Sequence, residues 1–196
     1  MVYIFMGIAA FILFVLYDIN SIILKNKLLK CSFFAGIILL AVSTFGLVWL
    51  SRNLIKIDFM NILPNGCLSA VFFFLLIYSL FFAIPFKNTY IAKEEASKVC
   101  KRGVYALCRH PGVLWFAGFY LFLGLALRQP LLFTAAGIFS ILNILYVLFQ
   151  DNWTFMKSFP DYGAYKIDTP FLIPNRQSIK RCIKTLYKKG TDNYEL

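Results

Sequence analysis

The only histidine of the chain lies where its fourth apolar segment begins, between Arg109 and Pro111. Proline is favoured in the first turn of a helix, and the N-terminus of a helix carries partial positive charge. The turn is therefore predicted to present Arg109, His110 and free backbone N–H groups together, which suits the binding of an anion or a polar ligand. The alternative is an arginine that extends toward the membrane surface, with a histidine beside it by chance.

A second candidate is Asp151, which follows the fifth apolar segment, with Asn143 two turns earlier on nearly the same face. Polar groups that face the interior of a membrane helix bundle are candidates for function. The alternative is that Asn143 forms an interhelical hydrogen bond and Asp151 only marks the end of the apolar segment. Asp18 and Asn20, in the first segment, are expected to be structural, with water or Lys25 as their partner.

A metal site is not expected, because the five cysteines form no CxxC pair and no second histidine is present. Free thiols are predicted instead. The cysteines are Cys31, Cys67, Cys100, Cys108 and Cys182.

The elements that must position these residues are membrane helices. Hydrophobic residues make up 60% of the chain and charged residues only 15%, and the mean hydropathy is +0.72, far from the composition of soluble domains. A helix needs roughly 20 apolar residues to cross the bilayer. Five runs approach that length, and the fourth is short. They cover residues 2–24, 32–51, 66–86, 112–127 and 131–149.

The basic residues predict the orientation, since cytoplasmic loops carry an excess of Lys and Arg. With the N-terminus outside, 17 of the 20 Lys and Arg residues lie inside. We therefore expect a multi-pass protein of a bacterial cell membrane with a cytoplasmic C-terminus. The formal net charge of +11 is explained by this orientation, and no nucleic-acid partner is expected.

The chain is predicted to be one all-α polytopic membrane domain. Residues 1–86 hold three helices, residues 87–175 a hairpin and a cytoplasmic cap, and residues 176–196 a basic tail. The short link at Arg128 predicts that the last two helices form an antiparallel hairpin, which would bring Arg109 and His110 near Asp151. A short polar helix is expected at residues 93–98. Ile179, Cys182, Ile183 and Leu186 recur at helical spacing, which predicts an interfacial helix, with a disordered basic tail as the alternative.

The segment GVYALCRHP, residues 103–111, resembles the GxYxxxRHP signature of the membrane methyltransferases that include the isoprenylcysteine carboxyl methyltransferases and the phospholipid methyltransferases. In that family an acidic pair and tyrosines follow the helical hairpin. Here the resemblance continues with the acidic position and an aromatic cap, and it covers roughly residues 98–175. The residues at these positions are Asp151, Asn152, Phe155, Phe159, Pro160, Tyr162, Tyr165 and the segment FLIP that ends at Pro174, with Asn152 in place of the second acidic residue.

The resemblance implies an S-adenosylmethionine site at the cytoplasmic ends of the hairpin, and a lipid or lipid-modified substrate that enters from the bilayer. It implies that Tyr105, Arg109, His110 and Asp151 line the site, with Arg109, His110 and Asp151 in catalysis, while Gly103 and Pro111 shape its turn. The sequence departs from the family at Val113, Trp115 and Val147. These departures bear more on the methyl acceptor than on the cofactor.

Two other functions stay open. A membrane reductase of the steroid-reductase type has a similar hairpin but uses NADPH. A non-enzymatic membrane protein would bind neither cofactor. A transporter is less favoured, because no inverted repeat is visible.

Overall fold

The computed structural model describes residues 1–51, 58–82 and 99–191, and within them the regular structure is entirely helical. We label nine α-helices in chain order. They are α1 (Val2–Ile19), α2 (Ser32–Ser51), α3 (Phe59–Ile77), α4 (Val104–Leu107), α5 (Pro111–Leu127), α6 (Pro130–Phe149), α7 (Phe155–Ser158), α8 (Tyr162–Asp168) and α9 (Arg176–Thr191). Turns of π-helix continue α1, α3 and α6, at Asn20–Leu24, Tyr78–Phe82 and Gln150–Thr154.

Four helical stretches in this part of the chain are long and apolar enough to cross a membrane. They are Val2–Leu24, Leu28–Leu50, Phe59–Phe82 and Pro130–Ser158. The predicted all-α, multi-pass fold is thus confirmed. Helix α5, at 17 residues, is apolar but only about 25 Å long, so the expectation of a short fourth segment is also confirmed. The predicted polar helix at residues 93–98 lies outside the described residues.

The third helix begins earlier than hydropathy predicts. The apolar run starts at Gly66, but α3 starts at Phe59 and contains Pro64. The side chain of Asn61 donates to the backbone carbonyl of Leu125 at 2.9 Å, and that of Asn65 donates to the carbonyl of Asn61 at 2.9 Å. Because tertiary and local contacts satisfy these amides, the polar first turns belong to the helix rather than to the predicted loop.

The packing groups the chain into two compact units, which we describe separately. Unit 1 comprises Met1–Phe72 and Phe116–Thr154, and unit 2 comprises Phe73–Trp115 and Phe155–Leu196. This grouping follows contacts in space and divides the chain differently from the linear boundaries expected from the sequence. The single membrane domain stays a prediction.

Unit 1 is held together by close helix packing at small residues. A Cβ added at Gly7 would lie 2.1 Å from the ring of Phe139, and one at Gly46 would lie 2.2 Å from the ring of Tyr3. The hydroxyl of Ser43 donates to the carbonyl of Tyr3 at 2.6 Å. Small residues therefore let α2 and α6 approach α1 closely, as in other membrane helix bundles.

The predicted hairpin of the last two long helices is confirmed. Its link is short, with Arg128 in the left-handed region at φ 50° and Pro130 in the first turn of α6. The Arg128 guanidinium lies 3.0 Å from the carboxylate of Asp58. This ion pair is solvent-exposed and contributes little to stability.

Unit 2 combines the ends of two long helices with the short helices of the cap. Helix α9 packs on α4, and the backbone N–H of Gly103 donates to the hydroxyl of Thr185 at 3.0 Å. Residues 176–191 are helical, which confirms the helical interpretation of this segment over a disordered tail.

Candidate functional site

The segment 103–111 begins with a backbone turn that only glycine adopts readily. Gly103 has φ 58° and ψ −132° and precedes α4, a conformation in which a Cβ is strained. The hydroxyl of Tyr105 in α4 donates to the carbonyl of Ser79 at 2.8 Å. Within unit 2, α4 is therefore tied to the last turns of the long apolar stretch that contains α3.

Arg109 joins this segment to the C-terminal cap. Its guanidinium donates to the carbonyl of Lys166 at 2.8 Å and lies 5.6 Å from the ring centre of Phe171. Its backbone N–H donates to the carbonyl of Pro170 at 2.9 Å. The cation is thus held by both a carbonyl and an aromatic face, an arrangement that arginine adopts better than lysine.

His110 is buried between aromatic side chains. Its ring is stacked on that of Phe155, with 5.9 Å between ring centres. It makes a T-shaped contact with the ring of Phe171, with 5.1 Å between ring centres. Its backbone N–H donates to the carbonyl of Phe171 at 3.3 Å, and Pro111 then begins α5. This environment is more enclosed than a histidine exposed at the membrane surface would have.

These backbone contacts correct one feature of the predicted site. The sequence predicts free backbone N–H groups at this turn, but those of Arg109 and His110 donate to the carbonyls of Pro170 and Phe171. The chain supplies its own acceptors because residues 170–171 run beside the start of α5. An anion at this turn would therefore be held by the Arg109 side chain and not by these two N–H groups.

Two tyrosines of the cap pack beneath this segment. The hydroxyl of Tyr165 donates to the carbonyl of Tyr105 at 2.6 Å, and burial raises the pKa of Tyr165 above its ordinary value. Tyr162 lies 5.4 Å from Phe155 between ring centres. Tyr165 is therefore a protonated hydrogen-bond donor at neutral pH.

Cys108 precedes Arg109 and is fully buried. Burial, with a smaller effect of Cys182, raises the pKa of its thiol to about 11, although a backbone hydrogen bond at His110 opposes the rise. A thiolate is the nucleophilic form of cysteine. Cys108 is thus a packing group at neutral pH.

Asp151 lies in unit 1, in the π-helical turn Gln150–Thr154, and is buried. Its predicted approach to Arg109 and His110, which belong to unit 2, stays a prediction. The neighbouring Gln150 donates to the carboxylate of Asp18 at 2.9 Å and to the hydroxyl of Tyr146 at 2.8 Å. Asp18 therefore has protein partners in place of the expected water or Lys25.

Asn20 has the structural role that the sequence predicts, although with another partner. Its side chain accepts from the backbone N–H of Asn26 at 2.8 Å and donates to the carbonyl of the same residue at 3.0 Å. These bonds close the turn after the first long helical stretch. Asn143 lies in α6 and is half-buried.

Unit 2 brings together Gly103, Tyr105, Arg109, His110 and Pro111. The sequence did not indicate that Phe155 and Phe171 enclose His110, or that Ser79 and Lys166 supply carbonyls to the site. Every residue type has a backbone carbonyl, so the roles of Ser79 and Lys166 as acceptors could not be predicted from the sequence. In the described residues no group of three or more His, Cys, Asp or Glu side chains could hold a metal ion.

The fold and this cluster define the class of protein: an all-α, multi-pass membrane protein with a C-terminal cap folded onto an Arg-His-Pro turn whose histidine is buried. No family model, curated protein or solved structure matches the chain.

Proposed function

We propose that the protein is an S-adenosylmethionine-dependent methyltransferase that acts on a lipophilic acceptor in the membrane. The observation that carries the proposal is the contact of the 103–111 segment with the cap. Tyr105, Arg109 and His110 each contact it, through Tyr165, Lys166 and Phe171 respectively. The motif and the cap belong to the same compact unit. They are also the two parts of the sequence on which the resemblance to the methyltransferases rests.

The side chains of this cluster fit the chemistry of the cofactor. S-adenosylmethionine supplies a methyl group that its sulfonium already activates, and it carries a carboxylate and an aromatic base. Arg109 would hold the carboxylate, since guanidinium groups bind carboxylates through paired donors. The rings of His110, Phe155 and Phe171 would contact the base or the cationic sulfonium.

The residues of the chain would act by positioning and by excluding water. Arg109 is itself oriented by Lys166 and Phe171, so little side-chain freedom would be lost on binding. The buried ring of His110 excludes water from the turn. Alignment of donor and acceptor can lower the barrier by several kcal/mol without a metal or a covalent intermediate.

Isothermal titration calorimetry of the purified protein in nanodiscs tests the cofactor. We expect S-adenosylhomocysteine to bind and NADPH not to bind. Arg109→Gln should weaken S-adenosylhomocysteine about tenfold, equivalent to ~1.4 kcal/mol.

Arg102→Gln is the matched control, because Arg102 is exposed and precedes the turn. It removes one positive charge and should leave the affinity unchanged. Circular dichroism must show that each variant keeps its helix content. A folded protein that binds no S-adenosylhomocysteine, or that binds NADPH instead, would exclude the proposal.

The acceptor is open among a prenylcysteine, a phospholipid amine, a quinone-like lipid and a small hydrophobic thiol. Incubation of membrane lipid extracts with methyl-labelled S-adenosylmethionine identifies it, because the label appears in the product. The same reaction with Arg109→Gln should lose most of the label, while Arg102→Gln should retain it.

A further inference from the structure

The C-terminal helix α9 has a buried face and, beside it, a separate exposed apolar face, although the sequence predicts one stripe. Ser178 and Cys182 are buried, and Thr185 accepts from Gly103. These three residues form one face of the helix, and Thr185 joins that face to the turn before α4. Ile179, Ile183 and Leu186 are instead 43%, 50% and 49% exposed, and we call them the exposed stripe.

Basic residues border the exposed stripe on its other side. With about 100° of rotation per residue, the three stripe residues fall within about 60° of one another. Arg176, Lys180 and Lys184 follow in the next sector, and all three are exposed. Going around the helix, one therefore meets the buried face, then the exposed stripe, then a basic flank.

Helix α9 is also attached close to the point where long apolar helices end. It packs on α4, and Tyr105 of α4 is bonded to the carbonyl of Ser79. Ser79 lies near the end of the membrane-crossing stretch Phe59–Phe82. Pro111, which begins the apolar helix α5, follows α4 after a turn of only three residues. All these contacts lie within unit 2, and they hold α9 beside the ends of apolar helical stretches.

We infer that α9 docks on anionic lipid headgroups of the bilayer that the protein spans. Ile179, Ile183 and Leu186 enter the headgroup layer, while Lys180 and Lys184 contact lipid phosphates. Amphipathic helices with this arrangement lie in the plane of the interface. Each basic residue beside an anionic surface strengthens the association about fivefold.

This inference does not depend on the proposed methyl transfer. It concerns lipid composition and the ordering of α9, so its test needs neither cofactor nor activity. Because α9 packs on α4, docking also stabilises the segment that carries Tyr105 and Arg109. Anionic lipid would therefore act on the position of the candidate site whatever its ligand is.

Hydrogen–deuterium exchange of the full-length protein in nanodiscs tests the inference. Discs of phosphatidylcholine are compared with discs of equal parts phosphatidylcholine and phosphatidylglycerol. We expect the α9 amides to exchange about tenfold more slowly in the anionic discs, because docking opposes opening of the helix. The double variant Lys180→Gln with Lys184→Gln should lose most of this difference.

Lys27→Gln with Lys30→Gln is the matched control, since both lysines are exposed and lie in another connection between helices, before α2. It removes the same charge and should leave the lipid effect on α9 intact. Ile179→Ser with Ile183→Ser should speed α9 exchange in anionic discs by removing the stripe. The inference is overturned if the α9 amides exchange at the same rate with and without phosphatidylglycerol. It is also overturned if soluble polyglutamate, added to phosphatidylcholine discs, slows this exchange as much as phosphatidylglycerol does.

Discussion

The two units are stabilised by different kinds of contact. Unit 1 is built from long apolar helices that approach at glycines and bury rings, as at Gly7 and Phe139. Unit 2 is built from short helices whose backbone groups are bonded to distant parts of the chain, as at Arg109 and Pro170. Hydropathy therefore outlines α1, α2 and α6 of unit 1 closely, whereas α3 begins earlier than the apolar run predicts. The form of unit 2 depends on individual donors and acceptors.

The difference has a physical cause. In a bilayer each backbone polar group must be satisfied within its own helix, so a long apolar run has almost no alternative structure. At the membrane boundary water competes for the same groups, and a short segment has many conformations. Specific contacts then select one of them, which is why the candidate site lies in unit 2.

The largest expected effect is on the close packing of unit 1. Gly7→Ala would place a Cβ 2.1 Å from the Phe139 ring, so the ring or the helices must move. We expect destabilisation of about 3 kcal/mol, seen as a lower melting temperature by circular dichroism. Gly137→Ala is the control, because a Cβ there meets no atom within 4 Å. Equal effects of the two substitutions would contradict the packing argument.

The next effect concerns the backbone of unit 2. Gly103→Ala forces a Cβ onto a residue with φ 58°, which costs about 2 kcal/mol. The melting temperature should fall, whereas Gly163→Ala in α8, where a Cβ meets open space, should leave it unchanged or raise it. If both alanines are tolerated, the turn before α4 is not constrained as described.

A pH effect should follow from Cys108. Its pKa is about 11 in the folded protein against 9.0 ordinarily, so between these values the unfolded state has lost a proton that the folded state retains. Stability then falls by about 2 kcal/mol as the pH rises from 9 to 11. Melting temperatures from pH 8 upward should fall more steeply for the wild type than for Cys108→Ala. Equal pH dependence of the melting temperature in the two proteins would show that folding does not raise the pKa of the Cys108 thiol.

The smallest expected effect is on the polar contact of unit 1. A double-mutant cycle of Asp18→Ala and Gln150→Ala should give a coupling energy of about 1 kcal/mol, because interhelical hydrogen bonds in membranes are modest. Asn152, which is exposed and donates to the carbonyl of Leu148, supplies the control cycle with Asp18. A coupling with Asn152 as large as that with Gln150 would argue against a specific contact.

Much of the fold was predictable, and less of the site. The bounds of α1, α2 and α6 follow apolar runs closely, whereas α3 extends to Phe59 through amides that only tertiary contacts satisfy. Asp18 and Gln150 both lie near the end of an apolar run. Their contact could therefore have been predicted, because the two residues are expected at a similar depth in the membrane. The exposed stripe of α9 could not be separated from Cys182, because the spacing alone does not reveal which face α4 covers.

By itself the sequence determined the class of structure: long apolar runs in a bilayer must be helices, and the short link at Arg128 must reverse the chain. Glycine, tyrosine, arginine, histidine and proline in the 103–111 segment also marked where to look. Only the tertiary structure decided that the carbonyls of Pro170 and Phe171 accept hydrogen bonds from the backbone N–H groups of Arg109 and His110. It also decided that aromatic rings enclose His110. Such partners are set by where a distant segment folds back, which residue type does not encode.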